Sequence, residues 1–281
     1  MKTHITARHI LQFCQSAFRF GLAFPLAIHS AFALALLCLI AKPAWAIDHN
    51  NLDEGRPLRF EDAYPIAYGE LSTETGARFL LNRHKTDRFA FPLEVLYGAY
   101  WNLQVGVGST LSTQPRRIDE SEKSGDLRTF ALYNFNQETL RLPALAVKLG
   151  LDFPTGVHSQ GVDTKLTGIV TRSFGPARAH LNVGYEFVGS AGNGERNDRY
   201  TVVLGAQYPL GYPRHFDTTL LADVFTQQAV RFGETNPSGL EVGIRRQIAP
   251  LVVIDAGVGT EFIGPAERTS FFATAGISVG F

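Results

Sequence analysis

The sequence predicts an all-β fold: a transmembrane up-and-down antiparallel β-barrel of twelve strands that follows a cleaved signal peptide. Three observations lead there. Apolar and polar residues alternate with period two through nearly all of residues 70–281. Turn residues divide that stretch into twelve segments, an even number. The connections between segments then fall into a shorter and a longer class that alternate along the chain, as the two rims of such a barrel require.

The chain opens with a different kind of segment. Of 281 residues, 26 are Lys or Arg and 26 are Asp or Glu. Residues 1–46 hold Lys2, Arg8, Arg19 and Lys42 and no acid, so the rest has 26 − 4 = 22 bases against 26 acids, a formal charge of −4. A basic, polar start, an apolar run from Phe20 to Ile40 and the small-x-small triplet Ala44-Trp45-Ala46 make residues 1–46 a secretory signal peptide. A membrane-anchoring helix is the alternative, since the run is about long enough to span a bilayer. Leu37 precedes Cys38 where bacterial lipoprotein signals generally carry a small residue, which argues against lipid attachment. Cys14 and Cys38 are the only cysteines, so nothing after the leader can form a disulfide framework or a thiolate metal site. The mildly acidic remainder has no Lys/Arg run longer than a pair, which excludes the basic grip of a nucleic-acid binder.

Residues 47–69 are too short and polar to form a domain. They read as a periplasmic N-terminal extension or plug, folded into the lumen or lying across its mouth. The barrel itself occupies residues 70–281. Its first four strands fall at 70–82, 89–100, 102–113 and 127–136, with Trp101 as a tight turn and His84–Arg88 and Arg116–Asp126 as polar loops. The fifth, 144–154, follows the Gln137–Pro143 connection and sets Leu145, Val147, Leu149, Leu151 and Phe153 against Ala146, Lys148, Gly150 and Asp152. Val157–Val162 leads to the sixth and seventh, 163–174 and 177–189, which are joined at Gly175-Pro176. In the seventh, Leu181, Val183, Tyr185 and Phe187 oppose Arg178, His180, Asn182, Gly184 and Glu186. The eighth to tenth, 199–210, 217–231 and 239–248, are bounded by Ala191–Asp198, Gly211–Phe216 and Phe232–Pro237. The last two, 251–263 and 270–281, follow Ala249-Pro250 and Gly264–Arg268.

An apolar face turned outward to lipid obliges the sheet to close, because an open edge would leave N–H and C=O groups unpaired where water cannot reach. The competing fold is a soluble sandwich or lipocalin-like barrel with the apolar face inside. That arrangement would expose Lys148, Asp152, Arg178, Glu186, Asp223, Glu241, Arg245 and Asp255 while a dozen apolar stripes shared one modest core. Outward aromatics also gather at strand ends: Phe153, Tyr185, Phe187, Tyr200, Phe262 and Phe271 towards the loops, and Tyr133, Phe135, Phe174, Tyr208 and Phe281 towards the turns. Two such belts are expected at the two membrane interfaces.

The C-terminus, Thr274-x-Gly276-x-x-Val279-x-Phe281, resembles the last-strand signal read by the assembly machinery of Gram-negative outer membranes. Arg56-Pro57-Leu58, Glu61-Asp62-Ala63 and Gly69-Glu70-Leu71 look like the mature N-terminal region of an outer-membrane β-barrel transporter family named for the phenol meta-cleavage degradation pathway. Leu149–Gly156 (LGLDFPTG) and Leu181–Tyr185 (LNVGY) resemble its middle strands. The resemblance covers most of residues 56–281. It implies an outer-membrane transporter, a link to aromatic catabolism without a defined solute, and no catalytic residue.

By parity the lumen receives Glu74, Arg78, Glu94, Arg128, Lys148, Asp152, Lys165, Arg178, His180, Asn182, Glu186, Asp223, Glu241, Arg245, Asp255 and Glu261 as pore-lining residues. Both signs in one cavity can line a water-filled path or pair across it and block it. Twelve strands lie between the filled eight-stranded barrel and the open sixteen-stranded one, so the pore is narrow. Leu96, Tyr100, Phe130, Leu132, Leu221 and Phe225 also point inward, either to bind a small aromatic or amphipathic solute or to pack a plug.

An outer-membrane lipid hydrolase would place a histidine and a serine on one strand face. Here His158 and Ser159 are adjacent and point apart. Gly192-x-Gly194 and Gly257-x-Gly259 lack the helix a phosphate loop needs, and His49, His84, His158, His180 and His215 lack ligand spacing. The expectation is a bacterial outer-membrane barrel, without cofactor or metal, that acts as a passive porin-like channel for small solutes. Its expected partners are outer-membrane lipids, lipopolysaccharide and the barrel assembly machinery, with no nucleic acid. A non-conducting structural or surface-binding barrel is the alternative.

Overall fold

Alternation of this length and sense has one closed solution, and the chain adopts it. The computed structural model describes residues 52, 56–84, 87–113, 124–157 and 159–281. Residues 1–46, expected to be the signal peptide, His49, His158 and the loop around Glu122 lie outside the described residues. The strands are β1 Leu71–Asn82, β2 Arg88–Tyr100, β3 Leu103–Ser112, β4 Leu127–Asn136, β5 Ala144–Phe153 and β6 Asp163–Phe174. They continue as β7 Ala177–Phe187, β8 Asp198–Pro209, β9 Thr218–Gln227, β10 Ser238–Ala249, β11 Val252–Ile263 and β12 Thr269–Gly280. Each pairs antiparallel with its sequence neighbours, and β1 closes onto β12 through Ser72↔Gly280, Thr75↔Ile277 and Arg78↔Thr274. Closure leaves no edge strand, so each strand has a partner on both sides.

The alternation has the sense that a lipid environment demands. Along β7, Leu181, Val183, Tyr185 and Phe187 are exposed on the exterior, while His180 and Asn182 are buried within. Aromatic rings mark both rims: Tyr185 meets Phe187 with centroids 5.0 Å apart near the loops, and Tyr133 meets Phe135 at 5.2 Å near the turns. No helix among the described residues is long and apolar enough to cross a membrane. The strands are the elements whose apolar faces do so.

Two local expectations fail for identifiable reasons. Strand β9 ends at Gln227 rather than 231: after Gln228, whose amide still joins the Tyr200 carbonyl, the Ala229 amide donates to Asn236 Oδ1 and Arg231 forms only an isolated bridge with Glu195. Tyr100 is 59 % exposed instead of facing the lumen. The β2–β3 register shifts between Gly98 and Tyr100, which breaks parity, and the ring sits beside Tyr68 and Trp101 at the turn rim.

Candidate functional site

Parity turns one face of every strand inward, so the lumen is polar for the same reason that the exterior is apolar. Residues 56–69 run through that lumen before β1 begins. A segment outside the sheet has backbone donors and acceptors with no ladder to join, and inward side chains of the wall supply their partners. Asn182 clamps Glu61 from both sides: the Glu61 amide donates to Asn182 Oδ1 at 2.7 Å, and Asn182 Nδ2 donates to the Glu61 carbonyl at 2.9 Å. The Ala63 amide donates to Thr171 Oγ1 at 2.9 Å and its carbonyl accepts from Asn134 Nδ2 at 2.7 Å. The Ile66 amide donates to Gln104 Oε1 at 2.9 Å, and Thr274 Oγ1 donates to the Pro57 carbonyl at 2.9 Å.

Charged side chains of the segment are met by opposite charge. Arg56 pairs with Asp255 at 3.2 Å and Glu74 at 3.3 Å, and it donates to Ser278 Oγ at 2.8 Å and to the carbonyls of Ile277 and Thr75. Arg59 pairs with Glu241 at 2.7 Å and Glu261 at 3.7 Å, its amide donates to Asp223, and its guanidinium lies 3.8 Å above the Phe225 ring. Burial works against the Arg59 charge, but Glu241, Glu261 and Asp223 more than offset it and raise its pKa above the ordinary arginine value. Glu61 receives Lys148 Nζ at 2.8 Å.

Apolar residues of the segment pack between these polar ties. Leu52, Leu58 and Phe60 join Val203, Leu221 and Phe225; Ala63 joins Leu132, Ala144, Ala146 and Ile169; and Ile66 joins Leu96 and Phe130. Full burial of each large side chain contributes about 1.5–3 kcal/mol. Interior glycines clear the room for them. A Cβ on Gly205 would come within 2.3 Å of the Phe60 ring, and one on Gly257 within 3.0 Å of Leu58.

Among the described residues, a cavity of about 120 Å³ opens in the half of the lumen nearer the loops. Arg78, Glu94, Arg128, Lys148, Asp152, Lys165 and Glu186, all expected at the lumen, line it. Arg128 pairs there with Asp152 at 2.8 Å, and Glu186 with Arg199 at 3.0 Å. The other inward residues are covered: Glu74, His180, Asn182, Asp223, Glu241, Arg245, Asp255 and Glu261 are buried. Phe60 stacks on His180 with centroids 4.9 Å apart, and Arg245 pairs with Glu74 at 3.7 Å. Arg178 points towards Tyr64, 5.8 Å from its ring. Ser159 donates to Asp126 at 2.6 Å, and its neighbour His158 lies outside the described residues.

Parity does not reach residues outside strands, so Arg56, Arg59, Phe60 and Glu61 were not legible as lumen contacts. Arg199 shares the inward parity of Thr201 and Val203 in β8 and was readable on that ground. Inward glycines opposite aromatic residues were the available signal for a filled interior.

No family model matches the sequence, and no curated protein matches it. Solved structures do match in fold. The COG4313 outer membrane channel from Pseudomonas putida F1 is 12 % identical, with a TM-score of 0.62 over 82 % of this chain and 100 % of that one. The NanC porin is 11 % identical, with a TM-score of 0.52 over 75 % of this chain and 98 % of that one. The KdgM porin is 10 % identical, with a TM-score of 0.50 over 74 % of this chain and 99 % of that one. At these identities the likeness is one of fold, and it places the chain among closed β-barrels of outer-membrane type.

Proposed function

We propose that the chain is a passive channel of a bacterial outer membrane, with residues 56–69 as a plug that narrows the lumen. The observation that carries this reading is the combination of an apolar exterior with a charged interior cavity and a segment seated by side-chain contacts. A purely structural barrel could fill its interior with strand side chains alone, as eight-stranded barrels do. Here a separate segment does the filling, held by ion pairs and single hydrogen bonds that can exchange for water. The names of the neighbours, a channel and two porins, point the same way.

Membership of the phenol meta-cleavage family rests on the resemblance of its motifs, of which Arg56-Pro57-Leu58 and Glu61-Asp62-Ala63 also make specific lumen contacts. The channel reading places both termini in the periplasm, the longer loops outside the cell, and the mature chain after residue 46. Insertion by the barrel assembly machinery uses Thr274, Gly276, Val279 and Phe281.

Single-channel recording on the refolded protein tests the reading. The parent is expected to show small conductance, and a variant lacking residues 56–66 a larger one. A folded deletion variant that remains silent would leave the non-conducting barrel as the better description.

A further inference from the structure

The cavity above the plug has an uneven charge distribution. Among the described residues, its lining carries six cationic side chains, Arg59, Arg78, Arg128, Lys148, Lys165 and Arg199, against three carboxylates, Glu94, Asp152 and Glu186. The remaining compensation is set back from the cavity. Glu241 and Glu261 pair with Arg59, and Glu61 pairs with Lys148, yet none of these three carboxylates belongs to the lining. Arg59 keeps 27 % of its side-chain exposure while its partner Glu241 keeps 2 %. A solute in the cavity therefore lies closer to Arg59 and Lys148 than to the acids set behind them, while Arg128 and Arg199 pair within the lining with Asp152 and Glu186; the lining as a whole keeps more cations than carboxylates. Low-dielectric walls strengthen the resulting field.

The cavity also has an apolar side. Phe130 and Val203 are among its lining residues, each almost fully buried, and Lys148 Nζ lies 4.3 Å from the Phe130 ring centroid. Its volume of about 120 Å³ is close to that of cavities of about 150 Å³ that accept a benzene ring.

We propose that this cavity is a binding vestibule for small organic monocarboxylates with an apolar body of about one ring. The carboxylate lies towards Lys165, Arg78 and Arg199, and the body lies towards the Phe130 and Val203 side of the lining. This deepens the channel reading and rests on it for the solute's route. The attraction is electrostatic and partly exposed, so affinity falls as salt screens it.

Calorimetric titration of the detergent-refolded protein tests the proposal, with benzoate, benzamide, benzylamine and acetate as probes. Benzoate should bind at least about tenfold more tightly than benzamide, as expected for hydrogen bonds to charged groups. Benzylamine should bind more weakly than either, and acetate more weakly than benzoate. Lys165→Gln and Arg199→Gln should each weaken benzoate by roughly tenfold, whereas Arg246→Gln, on the exterior beside Asp217, should leave it unchanged. Heat-modifiable migration on a gel identifies the folded variants, and either of the two cavity variants suffices.

Equal binding of benzoate and benzamide, tighter binding of benzylamine, or no benzoate binding at millimolar concentration would overturn the proposal. Planar-bilayer recording separates that failure from failure of the channel reading. A conducting protein that does not prefer benzoate refutes the vestibule alone; a silent protein that binds benzoate refutes the channel alone.

Discussion

Replacing Asn182 with leucine should loosen the plug without disturbing the barrel. The two side chains are similar in size, and Asn182 is buried on the interior face of β7, so the change keeps the packing volume and deletes the amide. Two hydrogen bonds to the Glu61 backbone disappear, at 2.7 and 2.9 Å. Each such bond contributes about 0.5–1.5 kcal/mol net, and each backbone group left dry costs about 1–3 kcal/mol. Partial access of water to the freed groups brings the total to roughly 2–4 kcal/mol against the seated state. At 1.4 kcal/mol per decade, the ratio of released to seated plug rises by about thirty- to seven-hundred-fold. The Lys148–Glu61 pair at 2.8 Å remains as a tether, so openings should be longer and more frequent without becoming permanent. Planar-bilayer recording measures the open fraction, and limited proteolysis within residues 56–69 reports release independently of conduction. Val183→Ala, one residue away on the exterior, is the control. A folded Asn182→Leu protein with the parent's open fraction and the parent's protease resistance would refute the role given to this clamp.

Arginine at Val183 should place a charge near the middle of the lipid-facing wall and cost about 2–4 kcal/mol, seen as a smaller heat-modifiable fraction after refolding. Gly205→Leu should evict Phe60, since even a Cβ there would lie 2.3 Å from the ring, and conductance should rise with the barrel intact; unchanged conductance would mean that Phe60 does not narrow the path. Arg56→Ala should take from Asp255 and Glu74 their pairing with the segment, leaving Arg245 beside Glu74, and destabilise the seated segment by up to about 3–5 kcal/mol, read as protease cleavage within residues 56–69. Deleting Phe281 should lower the amount of barrel inserted in cells without preventing refolding in detergent, because assembly recognition and barrel stability are separate demands.

The wall was legible because its physics is local. Two-residue periodicity fixes which side chains face lipid, and a mistake of one residue would have reversed the whole set. Strands β4 and β6 match their expected bounds, 127–136 and 163–174, since Asp126 and Asn136 bound one and Asp163 and Gly175 the other. Where the periodicity is interrupted, the reading fails at once. Tyr100 lies beyond a register shift and turns outward.

The segment in the lumen was not legible in the same way, because its position depends on groups far away in sequence. Arg56 is fixed by Asp255 and Ser278, and Glu61 by Lys148 and Asn182. The C-terminal motif shows how two demands can occupy one pattern. Thr274 donates to the Pro57 carbonyl, and a Cβ on Gly276 would come within 2.9 Å of the Arg56 guanidinium. As sequence, polar residue and glycine read as an assembly signal; in three dimensions the same two positions form part of the seat for Arg56-Pro57. Their inward placement alternates with outward Phe271, Ala275 and Ile277, while Phe272 lies inward with them, so the motif's polar half meets the segment. Gly276→Ala distinguishes the two demands. If the glycine serves the seat, the variant should insert at parental levels yet cleave more readily within residues 56–69; loss of insertion with unchanged protease resistance in the refolded protein would assign it to assembly alone.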